Sequence, residues 1–492
     1  VNKRKDPPEV HERWKVPPPG GLRGAKCIEL LRSLSPWELK SFEKYVASPF
    51  FNANGKVAQL LEVLIQYYPG FENREITFEK IFKKLFGNEK FKHQKLRYSM
   101  TDLTFLLENF LAYKVFEVKF FYQKKFLLQK LKEKNHDKYF QQHLTSGYRQ
   151  QDDSAHRDLK FYKRQLGYDE LSYEFTSLKD NRAIDTSLQS LSDNLDIYYL
   201  SNKLKYCCEI LNRQNIVQVE YKIPFLDFII AYLNKNSFEE VPVISVYFQI
   251  LLTLKEPGNE KHFHKLKSLL NKQTNFSVHE LRDIYGFVQN YCIRKINTGD
   301  TKYLRELFEI YKLMLEKEII IENKELGHSH FKNIVAIALR LDEFQWTENF
   351  ISTYAAYLDK DLRKNSVNYN LARLHFAKKD FRKALKLLTI VEFTDVYYHL
   401  DSKSLLLKIY YEIEEIEPLF SLISTFIVYL RRSKLISEYQ RRIYSNLVKH
   451  VKRLAKIKSG SNYSLEKIKN SVATDSQIAD IGWLKSKIEE LE

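Results

Sequence analysis

Two closely spaced histidine pairs, His262/His264 and His328/His330, are the residues of this chain whose type first suggests metal chemistry. Imidazoles share a metal when they project the same way, whereas helical residues two apart diverge by roughly 200°. Neither pair makes a helical metal site, and the lone His375 reads as a packed residue. Glu220-Tyr221-Lys222 and Glu322-Asn323-Lys324 have the Glu-x-Lys spacing of metal-dependent nucleases. That chemistry needs a further acid on an adjacent strand to share the metal, and the helical pattern around both segments predicts no such sheet. The cysteines, Cys27, Cys207, Cys208 and Cys292, show no CxxC spacing, so no disulfide framework is expected. No glycine-rich phosphate loop, zinc-protease helix or nucleophile elbow occurs. The expectation is a chain with no catalytic residues, no cofactor and no metal ligands: not an enzyme.

Binding chemistry is better represented. The chain carries 79 Lys and Arg against 62 Asp and Glu, a formal charge of +17, which suits nucleic acid, acidic proteins or anionic surfaces as partners. Its densest charge block runs from Arg431 to Lys458, with ten basic residues and one acid, Glu438. On a helical wheel with Arg441 at zero, Lys452 falls near 20°, Lys456 near 60°, Lys449 near 80°, Arg442 near 100° and Arg453 near 120°. Ile443, Leu447, Val451 and Leu454 occupy the opposite side, roughly 200° to 280°. The prediction is a docked helix with a cationic ridge, a candidate for phosphates or an acidic partner. Tyr444 points to the apolar side, leaving no platform on which bases would stack.

The elements that must position these groups are helices. Glycine supplies only 14 residues and eight of the 12 prolines precede position 70; between Gly327 and Gly460 the one proline is Pro418. Few residues interrupt helix there. Ser35-Pro36-Trp37-Glu38 predicts a capping box opening a helix that buries Leu39, Phe42 and Val46. Ser277-Val278-His279-Glu280 predicts a second box. Residues 1–26, rich in proline and glycine, are expected to lie outside the fold; 27–150 form an N-terminal helical domain and 151–492 a repeat domain. Thr474 to Leu491, with Ile478, Ile481, Leu484 and Ile488, is an amphipathic segment that would cap the stack or fill its groove. No apolar run reaches the roughly 20 residues of a membrane helix, so no membrane insertion is predicted. With no charged-then-apolar leader, a cytoplasmic location is expected.

The most informative segment is Tyr369-Asn370-Leu371-Ala372, followed by His375-Phe376, Lys379-Asp380-Phe381, Ala384-Leu385 and Leu388. It resembles a tetratricopeptide (TPR) repeat of roughly 34 residues. Leu371 and Ala372 match the Leu-small pair, Phe376 the following aromatic, Asp380-Phe381 the turn, Ala384 the small residue of the second helix, and Leu388 continues that helix. Asn368 and Lys379 depart from the tryptophan and glycine usual at their positions. Similar starts near 290, 333, 370 and 404 give spacings of 43, 37 and 34 residues. Leu34 to Lys40 also resembles the opening of a bacterial family of helical-repeat proteins to which no activity attaches. The resemblance implies an all-α chain, an N-terminal helical module followed by a TPR-like α-solenoid of degenerate hairpins, whose concave face binds a protein or peptide segment as a scaffold or adaptor. The alternative is a nucleic-acid-associated repeat protein using the ridge 431–458.

Overall fold

The computed structural model describes residues 24–71, 77–177, 186–217, 220–272, 275–391, 396–461, 463–475 and 477–492. These residues are all-α, apart from a ribbon of two-residue strands, β1 (Ile321–Glu322) and β2 (Glu325–Leu326). Residues 1–23 of the expected tail lie outside the described residues; the first helix begins at Lys26. No helix among the described residues is long and apolar enough to cross a membrane. Contacts divide the chain into two compact units: the residues up to Ser154 with Lys163–Leu195, and Ala155–Tyr162 with Asp196–Glu492.

The first unit opens with α1 (Lys26–Ser33), α2 (Pro36–Ala47), α3 (Gly55–Ile65), α4 (Phe78–Phe86) and α5 (His93–Glu117). The capping box at Ser35 forms: the Ser35 side chain accepts the Glu38 N–H, and Glu38 accepts the Ser35 N–H at 2.8 Å. With Pro36 in the first turn, α2 starts where the chain demands and buries Leu39, Phe42 and Val46 against α3 and α5. A smaller cluster joins α6 (Phe120–Glu133), α7 (Asp137–Asp152) and α8 (Leu159–Ser177) through Leu128, Phe140, Leu144, Tyr168, Leu171 and Phe175. Gly147 permits that approach, because a Cβ there would meet the Tyr168 ring at 2.8 Å. The helices α8 and α9 (Thr186–Val217) each contribute residues to both units.

The second unit continues with α10 (Leu226–Lys235), α11 (Pro242–Lys255), α12 (Glu260–Lys272), α13 (Val278–Asn297), α14 (Lys302–Glu316), α15 (His328–Arg340), α16 (Phe344–Tyr354), α17 (Lys360–Ala377) and α18 (Phe381–Leu388). It ends with α19 (Val396–Glu412), α20 (Ile416–Arg432), α21 (Glu438–Lys458), α22 (Leu465–Thr474) and α23 (Ile481–Glu489). From α13 to α23 each helix packs on the next, and the alternate helices α15/α17, α17/α19 and α19/α21 also touch.

The hairpin turns are built alike. Gly299, Asp342, Lys379 and Glu414 each stand in the left-handed region, at φ 98°, 57°, 61° and 60°. In each turn the next N–H returns to a carbonyl five residues back: Asp300 to Lys295, Glu343 to Ala338, Asp380 to His375 and Glu415 to Tyr410. This pattern satisfies the last helical carbonyls while reversing the chain. The four turns are 43, 37 and 35 residues apart, close to the spacing of the sequence starts. Within the central hairpin, Ala372 and Ala384 are fully buried and let α17 and α18 approach closely; Leu388 is buried beside them. Phe376 and Phe381 meet across the turn with ring centroids 5.4 Å apart, and the Asp380 side chain caps α18 by accepting the Lys383 N–H. Leu371 is half-buried and packs against the larger core of the preceding helices.

Three sequence expectations change. The segment at Glu322-Asn323-Lys324, expected within a helical pattern, forms the β1/β2 ribbon, where two short strands close a tight turn. Ser277 caps α13 as predicted, but the Glu280 carboxylate accepts the Tyr247 hydroxyl instead of closing the box. Glu280 is buried beside the Tyr247 hydroxyl and 3.6 Å from the Lys205 ammonium, and its carboxylate turns to these partners instead of to the helix end. The C-terminal amphipathic segment is not one helix: α22 ends at Thr474 and α23 begins at Ile481.

Candidate functional site

Three cationic side chains from alternate helices converge: Lys332 on α15, Arg373 on α17 and Lys408 on α19. With Asn333, Ala336, Tyr369, Asp401, Leu405 and Asp480 they line a cavity of about 280 Å³. Measured from the repeat starts at 333, 370 and 404, the cations stand at offsets −1, +3 and +4. Those offsets share one helical face, so repetition itself brings the charges together.

Two of the cations are neutralised in place. Lys332 Nζ lies 2.7 Å from Asp401, whose other oxygen accepts the Tyr444 hydroxyl at 2.5 Å. Lys408 Nζ lies 2.9 Å from Asp480, which also accepts the Ser404 hydroxyl at 2.7 Å. Burial pushes the Asp480 carboxyl up, but Lys408, Ser404 and Arg373 outweigh it and hold the group below the usual carboxylate range. Arg373 is different. Its guanidinium donates to the Lys332 carbonyl at 3.2 Å and sits over the Tyr369 ring at 5.8 Å, with no carboxylate in ion-pair range among the described residues. Three cations and two carboxylates leave the cavity one positive charge in excess. A planar fork with an unmatched charge is suited to a single incoming carboxylate or similar anion.

The predicted ridge lies on α21, which also opens on a capping box, Ser437 with Gln440. Its six residues divide. Arg441 turns back to the end of α20, donating to the Leu430 carbonyl and, at 3.0 Å, to the Ser433 carbonyl. Arg453 is half-buried over the Tyr463 ring, 5.6 Å from its centroid. Arg442 is exposed and donates to Gln477 at 3.1 Å. Lys449, Lys452 and Lys456 are exposed along one stripe. Leu447, Val451 and Leu454 are buried opposite them. The helical wheel thus separates the two faces, but it cannot distinguish a cation that caps a neighbouring helix from one that faces solvent.

The other sequence candidates hold structural places. His262 lies 3.0 Å from Glu256 and meets Gln249 through its other nitrogen, while His328 packs on Tyr398. His375 is 3.7 Å from the Asp380 carboxylate. Glu322 belongs to the ribbon and pairs with Arg282 at 3.0 Å; Asn323 and Lys324 form its left-handed turn. No group of three or more His, Cys, Asp or Glu among the described residues is placed to hold a metal ion. All four cysteines are buried as free thiols, and burial pushes Cys27 up to about 12.

No protein-family model matches the chain, and no curated protein or solved structure matches it either.

Proposed function

We propose that this chain is a non-enzymatic scaffold or adaptor of the cytoplasm, whose second unit is a TPR-like solenoid that binds an acidic segment of a partner protein. The observation that carries this reading is Arg373: a guanidinium lining an open cavity, drawn there by the alternate-helix layer and with no carboxylate in ion-pair range among the described residues. A peptide aspartate or glutamate would supply the missing charge, while Asn333 at the exposed rim and Leu405 at the wall offer a polar and an apolar contact. The four alike turns and the buried Ala372/Ala384 contact support the repeat reading on which this rests.

A second reading draws on Arg442, Lys449, Lys452 and Lys456, whose exposed stripe suits a phosphate backbone. Affinity purification from the native cell, with one half of each extract treated with nuclease, separates the two. Partners that survive nuclease support the scaffold; loss of every partner on nuclease treatment supports the stripe; empty recoveries from both halves contradict both readings.

A further inference from the structure

The first unit holds a run of aromatic rings on its surface. After α2 the chain turns at Ser48-Pro49, where the Phe51 and Asn52 N–H groups return to the Ser48 carbonyl at 3.1 and 3.0 Å and the Asn52 amide donates to the Val46 carbonyl at 2.9 Å. This pinned turn holds Phe50 out, 86% exposed. From Phe50 the rings follow one another: Phe51 at 4.9 Å, then Tyr113 at 5.8 Å, Phe116 at 6.4 Å and Phe126 of α6 at 6.0 Å, the last 53% exposed. Trp37, 66% exposed, joins the end of α5 through the Lys114 ammonium, 4.8 Å from its ring. Gln123 fixes the passage from α5 to α6 by donating to the Phe116 and Glu117 carbonyls at 3.0 and 2.6 Å, with Val115 and Val118 exposed beside it. Exposed apolar groups that touch one another over several elements mark an interaction surface.

The charges around the rings select what covers them. Lys40 and Lys44 share the exposed face of α2 with Trp37, and Lys119 and Lys134 stand at the two ends of α6. All four are exposed, and none makes an ion pair among the described residues. The acids of α6 and of the last turn of α5 are already taken up, Glu133 by Lys130 and Glu117 by Lys114, each at 2.5 Å. An apolar strip rimmed by unmatched ammonium groups fits a surface that offers hydrocarbon and negative charge together. We propose that this face of the first unit docks the chain on the surface of an anionic lipid bilayer, with Phe50 and Phe126 at headgroup depth and Lys40, Lys44 and Lys119 on the lipid phosphates. Single-stranded bases fit the strip less well: its rings meet one another at 34° to 89° and so present no run of parallel faces, and Val115 and Val118 have no face to stack on. The inference is independent of the acidic-segment site in the second unit and adds a place of attachment to it.

Flotation of the full chain with vesicles tests this, using phosphatidylcholine alone and phosphatidylcholine carrying about 30% phosphatidylglycerol. The unaltered chain is expected to float with the anionic vesicles, not with the neutral ones, and to float less as salt rises. Phe50→Ser with Phe126→Ser is expected to weaken binding about tenfold by removing apolar area from the interface. Lys44→Glu with Lys119→Glu is expected to weaken it by a similar factor through the headgroups. Phe50→Tyr with Phe126→Tyr, which keeps amphipathic rings at both positions, is expected to retain binding, and thermal unfolding of every variant is expected to match the parent because the substituted side chains are exposed. Absence of flotation of the unaltered chain with anionic vesicles overturns the proposal. Flotation that both weakening variants retain, while Lys449→Glu with Lys452→Glu and Lys456→Glu loses it, overturns it in favour of the α21 stripe. Binding of a single-stranded oligothymidylate that both weakening variants lose, with no vesicle binding by the parent, overturns it in favour of nucleic acid.

Discussion

His450 sits on the inner side of α21 with 1% of its surface exposed, and its Nδ1 has no hydrogen-bond partner. Burial, then Arg453 and Lys449, push its pKa down to about 4, against a smaller upward pull from Asp475. The folded chain therefore keeps this imidazole neutral where the unfolded chain protonates it. Its contribution to stability is complete above the unfolded value near 6.5, falls as pH drops towards about 4, and is level below that. Between about pH 7.5 and about pH 5.5 the loss traceable to this residue is expected to be about 1 kcal/mol. Urea unfolding of the parent and of His450→Gln at both pH values measures it: the variant should lose less stability than the parent across that interval. At this scale the sequence was informative where packing decides the residue. Ala372 and Ala384 are recognisable because only small side chains fit between close helices. Arg373 was not, since what sets it apart is that no carboxylate lies in ion-pair range among the described residues, which depends on groups up to about a hundred positions away in the chain.

Between helices, the left-handed turns carry a local cost that the chain accepts at Asp342, Lys379 and Glu414, and again at Asn135 and Glu318. A left-handed L-residue lies roughly 1–2 kcal/mol above its ordinary conformation. Lys379 is exposed, so Lys379→Gly is expected to raise stability by about 1 kcal/mol after allowing for glycine's greater unfolded-state freedom, as read by chemical denaturation. Lys379 is thus a strained occupant of a turn whose backbone would suit glycine. Arg441 shows the opposite economy. It satisfies two carbonyls at the end of α20, so Arg441→Ala is expected to cost about 1–3 kcal/mol, whereas Lys449→Ala and Lys452→Ala are expected to leave stability within about 0.5 kcal/mol. Thermal unfolding of the three variants compares them directly. Capping signals and apolar stripes located α2, α13 and α21 because these depend on residues within one helical turn. The break between α22 and α23 was less legible: the apolar spacing runs through it, and Asp480 leaves helical geometry to meet Lys408 and Ser404 on another element.

Across the whole molecule, a formal charge of +17 describes solubility and long-range attraction more than it describes a site. The second unit places its positive charge in two different settings. The stripe of Lys449, Lys452 and Lys456 is solvated, where screening by salt is strong. Arg373 faces a lined cavity, where a carboxylate would be partly withdrawn from water and a pairing counts for more. That contrast is why the proposed function puts an acidic segment at the alternate-helix layer and not on the stripe. The helices were legible in the sequence, because apolar periodicity and turn residues are local signals. The cavity was not legible, because it is assembled from three helices and completed by a fourth element, the link between α22 and α23 that carries Asp480. The most direct measurement is quantitative recovery of partners from nuclease-treated native extract on three full-length baits: the unaltered chain, Arg373→Glu, and the triple variant Lys449→Glu, Lys452→Glu, Lys456→Glu. The account predicts that the partners held by the unaltered chain fall by about 30-fold or more on Arg373→Glu, as expected for reversing a partly buried charge contact, and remain on the triple variant. Undiminished recovery on Arg373→Glu with loss on the triple variant would contradict it.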